Sequence, residues 1–178
     1  MLIKLFEDNP NQRDILKIVD ILKDGGLIIY PTDTIYAIGC DINHMKAVQR
    51  VCQLKGVKPE KANFSMICQD LSNIATYAKV TNDVFKVMKR NLPGPFTFVL
   101  PATNKLPNVM MNPLLTTSVK SDDDVVEYMT DPELIHEKYE KLVDLVVDGG
   151  YGHNVASTVV DCSKGDIEII RQGIGELK

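Results

Sequence analysis

Apolar residues recur along this chain with two periods, and the alternation between them predicts an α/β protein. Residues 2–6 read as a short edge strand. After Asn9-Pro10-Asn11, residues Ile15, Ile18, Val19 and Leu22 follow the spacing of one helix face, and Gly25-Gly26 ends that helix. Leu27-Ile28-Ile29-Tyr30 is a continuous apolar run, the pattern of a strand covered on both faces, and Pro31-Thr32-Asp33-Thr34 breaks it. Met45, Val48, Val51 and Cys52 predict a second amphipathic helix ending near Gly56. Phe64–Cys68 reads as a strand, with short helices around Leu71–Tyr77 and Asn82–Arg90. Pro93-Gly94-Pro95 is a rigid turn before the strand Phe96–Leu100.

Pro113–Ser118 predicts a further strand. Asp131-Pro132-Glu133 is a helix start built from an N-cap acid, a proline at the first helical position and a first-turn carboxylate. That helix runs to about Leu142, and Leu145-Val146-Val147 is a strand stopped by Asp148-Gly149-Gly150. Ser157–Asp161 and Ile167–Arg171 predict a strand pair joined across Lys164-Gly165-Asp166. Helices and strands are intermixed and one pairing is a hairpin, which implies a twisted mixed sheet with helices packed on it. A single domain over residues 1–178 is expected, since the length lies within the usual range for one core.

Composition adds exclusions. With 44% apolar and 25% charged residues the chain needs no disulfide or metal staple. Cys40, Cys52, Cys68 and Cys162 form no CxxC pair and have no His at zinc-finger spacing, so they read as small buried hydrophobes in a reducing compartment. No signal peptide or membrane-length apolar run is seen, and a cytoplasmic location with no membrane partner is expected. The net charge of −4 argues against a broad nucleic-acid surface. Residues 121–150 alone hold ten acids against two bases, however, so the remainder carries +4 and can accommodate an anion site.

Four segments place polar residues at the ends of apolar strands, where ligand sites of α/β sheets tend to lie. They are Thr32-Asp33-Thr34-Ile35-Tyr36, Lys55-Gly56-Val57-Lys58, Thr116-Thr117-Ser118, and Ser157-Thr158 with Arg171-Gln172-Gly173. Hydroxyls and a phenol can donate to an anion or carbonyl group, and lysines beside a glycine suit a phosphate. An arginine before glycine can bind phosphate oxygens bidentately. Each segment also has a plain structural reading: an ST-turn with a buried tyrosine at 32–36, or lysines complementing a helix dipole at 55–58. His44, His136 and His153 fall away from these segments and read as surface residues, so no catalytic triad can be argued. GxGxxG and P-loop patterns are absent.

Taken together, the segments resemble the YrdC/YciO-like superfamily, whose catalytic branch makes L-threonylcarbamoyl-adenylate for tRNA modification. Residues 26–39, GLIIYPTDTIYAIG, are similar to that family's G-x-(apolar)-Y-P-T-[ED]-T-x-Y-G-L-G signature. Leu54-Lys55-Gly56 corresponds to its K-x-R region and Pro93–Thr97 to its PGP-x-T turn. Thr116–Ser118 corresponds to its S-T-S-A-N strand, and Ser157–Asp161 with Ile170–Gly173 to its closing S-T-[VI]-[VI]-D and [IL]-R-x-G elements. The departures are Ala37 for glycine, Val57 where arginine is expected with Lys58 one position late, and Val119-Lys120 for Ala-Asn. They resemble the YciO branch. In the family the strand after PGP leads to an arginine-bearing I-G-x-R-x-P segment and a helix, a unit of roughly 30 residues. Here Asn112 runs straight into Pro113, so a strand–helix segment is expected to be missing between 112 and 113.

The resemblance implies a YrdC-like concave site and a nucleotidyltransferase that joins L-threonine, bicarbonate and ATP, with Mg²⁺ accompanying ATP, toward threonylcarbamoyladenosine (t6A) in tRNA. It implies Thr32, Thr34, Tyr36 and Thr116 at the amino-acid end, and Lys55, Lys58, Ser118, Ser157 and Arg171 around the nucleotide. No residue is assigned as a catalyst and none as a metal ligand. The alternative, favoured by Val57 and Lys120, is a protein that binds double-stranded RNA, tRNA or a nucleotide with little or no turnover.

Overall fold

The computed structural model of the protein describes residues 1–68, 70–72, 74–103, 114–119 and 126–178. These fall into two compact units: Met1–Ile67 with Asn112–Asn154, and Cys68–Met111 with Val155–Lys178. The junction between 112 and 113, Lys120 and the acids 122–124 lie outside the described residues.

The first unit is a six-stranded mixed sheet with helices on both faces. Its strands are β1 (Leu2–Lys4), β2 (Ile28–Tyr30), β3 (Ala37–Asp41), β4 (Ser65–Ile67), β6 (Leu114–Ser118) and β7 (Leu145–Asp148), ordered β1-β7-β2-β3-β6-β4. β1, β7 and β2 are parallel, β3 runs against β2 and β6, and β4 runs against β6. The expected edge strand at the N-terminus is therefore present as β1. Strand β3 is the addition: AIGCD is short and broken by glycine, so its sequence shows no strand periodicity, yet all five residues are buried.

One face of this sheet packs on α2 (Met45–Leu54) and α6 (Pro132–Tyr139) through a core that includes Ile29, Ile38, Cys40, Val51, Ile135 and Val146, each 0–1% exposed. Fully burying such side chains stabilises by roughly 1.5–3 kcal/mol apiece. The other face meets α1 (Gln12–Lys23), whose Ile18, Ile21 and Leu22 pack on Ile3, Ile28, Leu145 and Val147. Asn11 caps α1 by accepting from the Arg13 amide, and Asp131 caps α6 by accepting from the Glu133 and Leu134 amides. Helix α6 ends at Tyr139, three residues short of its predicted end.

The second unit carries a separate three-stranded sheet, β5 (Phe96–Val99), β8 (Thr158–Asp161) and β9 (Glu168–Arg171), ordered β5-β8-β9. β8 and β9 form the expected antiparallel pair, with a bulge that shifts register between Val159 and Val160, while β5 lies parallel to β8. Its core is Val84 and Met88 of α4 (Asn82–Asn91) against Val160, Cys162, Phe96 and Phe98. Thr81 caps α4, and a four-residue helix α3 (Ile74–Tyr77) and the helix α5 (Glu127–Thr130) complete the set, the latter in the first unit. The six-stranded sheet is the expected mixed sheet with helices packed on it, and the three-stranded sheet is an addition to it. Turn and strand patterns fix local pairing, but the hydrophobic pattern does not say which sheet a strand joins.

Candidate functional site

Because β1, β7, β2 and β6 share one direction, their carboxyl ends gather at one end of the six-stranded sheet. That end also receives the first residues of β3 and β4. Three of the four sequence segments meet there. Pro31–Tyr36 links β2 to β3, Ser118 closes β6 opposite Ala37, and the Val119 amide donates to the Tyr36 carbonyl at 2.9 Å. The Thr32 hydroxyl donates to the Ile35 carbonyl (2.8 Å) and accepts from the Thr34 amide (3.1 Å), with the Thr34 hydroxyl 3.1 Å away. This is the ST-turn that the segment predicts. Thr34 is buried, whereas Thr32 is partly exposed.

Tyr36 is wholly buried and its phenol serves the chain itself. The hydroxyl donates to the Gly150 carbonyl at 2.7 Å and accepts from the Gly149 amide at 3.2 Å. Burial pushes its pKa up to about 12; the Gly149 amide lowers it, and the charges of Asp148 and Asp131 add to the rise. The turn so held is tight. Asp148 accepts from the Gly150 amide, Gly150 has φ +93°, and a Cβ on Gly152 would come within 2.7 Å of the Tyr36 ring. The next amide, of His153, donates to the Thr34 carbonyl at 2.8 Å. His153 therefore lies against the hydroxyl loop, contrary to the expectation that all three histidines stand apart from it. The Asp-Gly-Gly turn was legible, but its pairing with a loop more than 100 residues away was not.

Lys55 owes its place to the way α2 ends. The Gly56 amide donates to Gln53 and the Val57 amide to Cys52, with Gly56 at φ +61°, a Schellman motif. Lys55 is the C-cap, and its ammonium donates to the Ser118 carbonyl at 3.1 Å, bringing a cation to the end of β6. Val57 occupies the position where such a motif commonly takes an apolar residue. Lys58 begins the 3-10 turn Pro59–Lys61 and is exposed. Thr116 bonds the Tyr30 hydroxyl at 2.7 Å, the Tyr30 ring passing over Gly39, where a Cβ would sit 2.8 Å from it. Burial carries the Tyr30 pKa up to about 12, against the lowering effect of the Thr116 bond.

Ser157 and Arg171 lie in the second unit. One Arg171 nitrogen, Nη2, donates to the Ser157 carbonyl at 2.9 Å and reaches its Oγ at 3.5 Å, and Thr97 Oγ1 is 3.1 Å from that hydroxyl. Thr97, Ser157 and Arg171 thus form a polar group at the strand ends, with Arg171 exposed. Beneath them Thr158 is fully buried: its hydroxyl donates to the Gly175 carbonyl (2.6 Å) and accepts from the Gly173 amide (3.0 Å). Gly173 fits so closely that a Cβ would stand 2.1 Å from the Ala156 carbonyl oxygen. Thr97 entered the sequence reading as part of a turn, not as a partner of Ser157.

Cys40, Cys52 and Cys162 are buried and Cys68 partly so, and burial raises all four thiols, Cys40 to about 12. None presents a ready thiolate. No helix among the described residues is long and apolar enough to cross a membrane.

The Sua5/YciO/YrdC family model, described as telomere recombination, matches residues 20–113 and 108–173. The uncharacterized protein YciO of Escherichia coli is 35% identical over 197 aligned positions, covering 96% of this chain and 94% of that one. Its crystal structure superposes with a TM-score of 0.87 at 34% identity, over 99% and 97% of the two chains. A putative threonylcarbamoyl-AMP synthase of Methanocaldococcus jannaschii is 28% identical over 97% of this chain and 93% of its own length. The fold is also that of P. abyssi Sua5, in a crystal structure complexed with L-threonine, at TM-score 0.84 and 21% identity over 100% of this chain and 62% of that one. With a matching family model over most of its length and YciO aligned almost end to end, the chain belongs to the Sua5/YciO/YrdC family.

Proposed function

We propose that this protein binds L-threonine and ATP and forms threonylcarbamoyl-AMP from them and bicarbonate, as a step toward t6A in tRNA. The observation that carries this reading is the gathering of the Thr32–Tyr36 loop, the Lys55 ammonium and the end of β6 at one end of the six-stranded sheet. Carboxyl ends of strands are where α/β sheets hold ligands. Family relatives named threonylcarbamoyl-AMP synthase add support.

In this chemistry the threonine amine and bicarbonate give a carbamate with loss of water. A carbamate oxygen then attacks the α-phosphorus of ATP and pyrophosphate leaves. The protein's part is placement and charge, so no covalent nucleophile is needed. Thr32 offers a partly exposed hydroxyl for the amino acid, with Thr34, Tyr36 and Thr116 shaping the strand end behind it. Lys55, Lys58 and Ser118 are the phosphate-suited groups of the first unit, and Ser157 with Arg171 are those of the second, each set within its own unit. Mg²⁺ enters with ATP. Phosphate oxygens commonly supply much of the coordination of this ion.

Val57 favours the second reading, a protein that holds a nucleotide or RNA with little turnover, since an apolar residue stands where the synthases resembled carry arginine. The two readings part in one assay. Purified protein with ATP, Mg²⁺ and bicarbonate should release pyrophosphate only when L-threonine is added. Absence of release, together with salt-sensitive RNA binding, would establish the binder instead.

A further inference from the structure

The antiparallel registers of the six-stranded sheet align Ile28 of β2, Gly39 of β3, Thr116 of β6 and Ser65 of β4 in one cross-strand row. Directly opposed residues of antiparallel strands share a face. The row therefore stands on the side where Ile28 packs with Ile18, Ile21 and Leu22 of α1. Leu115, between Leu114 and Thr116 on β6, belongs to the opposite core, with Ile38 and Val51. Glycine in this row has a definite use. With no Cβ at Gly39 the Tyr30 ring passes across β3, and its hydroxyl meets Thr116 Oγ1 at 2.7 Å. Hydroxyls from three strands, those of Tyr30, Thr116 and Ser65, thus lie side by side.

Such a group has hydrogens to give. Tyr30 and Thr116 carry one O–H hydrogen each and use one of them between themselves, whichever donates, so one remains. Ser65 is half-buried, and its hydroxyl bonds no other group among the described residues, so its hydrogen remains as well. Opposed Cβ atoms of an antiparallel pair stand about 4.5–5.5 Å apart, a separation across which two O–H donors can each serve one oxygen of a carboxylate. A cation lies close by: the Lys55 ammonium is 3.1 Å from the carbonyl of Ser118, two residues along β6 from Thr116. Two neutral donors beside a positive charge suit a carboxylate better than they suit an ammonium group.

We propose that Ser65 is a further ligand-binding residue, its hydroxyl and the remaining hydrogen of the Tyr30–Thr116 pair donating to the carboxylate of the bound amino acid. The assignment rests on the reading above, which puts Thr116 at the amino-acid end. Calorimetric titration with L-threonine tests it. Ser65→Ala should weaken binding about tenfold, the loss expected for one hydrogen bond to a charged group, while Ser65→Thr, which keeps the hydroxyl, should stay within about threefold of the unaltered protein. L-Threoninamide, which lacks the carboxylate, should bind the unaltered and Ser65→Ala proteins equally or bind neither. L-Threonine affinity unchanged by Ser65→Ala, a loss that Ser65→Thr shares, or an equal loss for the amide overturns the assignment and leaves the proposed substrate standing. Absence of L-threonine binding by the unaltered protein overturns the proposed substrate, and this assignment with it.

Discussion

Thr34 and Tyr36 in the six-stranded unit are buried, Thr34 against the Thr32 hydroxyl and Tyr36 bonded to the Gly149–Gly150 backbone, whereas Arg171 in the three-stranded unit faces solvent from beside Ser157. The same contrast recurs within the second unit, where Thr158 lies under a glycine-rich strap and its neighbour Ser157 lies above it. The difference separates two jobs that one motif string conflates. Some motif hydroxyls hold loops in place, and the groups that can meet a ligand stand next to them. Substitutions of the two kinds should therefore move different quantities.

The largest stability effect is expected at Gly173. With the Ala156 carbonyl 2.1 Å from the position of a Cβ, Gly173→Ala must displace backbone, and a loss of about 3 kcal/mol in denaturant unfolding is predicted. An unchanged midpoint would mean that the strap closes differently. Thr158→Val comes next, at about 2 kcal/mol, because it strands the Gly173 amide, while the Gly175 carbonyl keeps the Gln172 Nε2 donor. Tyr36→Phe should cost about 1–2 kcal/mol by freeing the Gly149–Gly150 turn.

Alkaline titration sharpens the contrast. Tyr30 and Tyr36 have pKa values raised from 10.0 to about 12, so their neutral forms are favoured by folding. Their contribution is complete below pH 10 and is lost as pH rises from 10 through 12. Phenolate absorbance from these two should appear only as pH approaches 12, and stability should fall over that window. Ionisation of Tyr30 and Tyr36 already complete near pH 10 in the folded protein would contradict the burial described.

Arg171→Ala should change stability least, within about 0.5 kcal/mol, while weakening ATP binding at least about tenfold, the loss expected when one charged hydrogen-bonding partner goes. Calorimetric titration with ATP reads this directly. Equal affinity in the variant would remove Arg171 from the nucleotide's partners.

Much of this was legible in the sequence. Helix ends were readable because caps and glycines act locally: Asn11, Asp131, Gly25 and Gly56 do in the structure what their residue types predict. Strands with unbroken apolar runs, such as Ile28–Tyr30 and Leu145–Asp148, were readable for the same reason. β3 was not, since Gly39, which leaves room for the Tyr30 ring, interrupts its apolar pattern. The site residues were found as motif members, but their division into ligand-facing and loop-holding groups depends on contacts such as Tyr36 with Gly150 and His153 with Thr34. Those partners lie more than 100 residues apart, and no local pattern encodes them.

The central claim is that the strand end around Thr32 and Lys55 joins threonine to the nucleotide. Labelled bicarbonate supplied with ATP, Mg²⁺ and L-threonine tests it most directly. Threonine-dependent appearance of the label in a threonylcarbamoyl-adenylate, abolished by Lys55→Ala in a protein that remains folded, is the predicted result. Labelled product formed equally by the Lys55→Ala protein, or none formed by the unaltered protein, would contradict it.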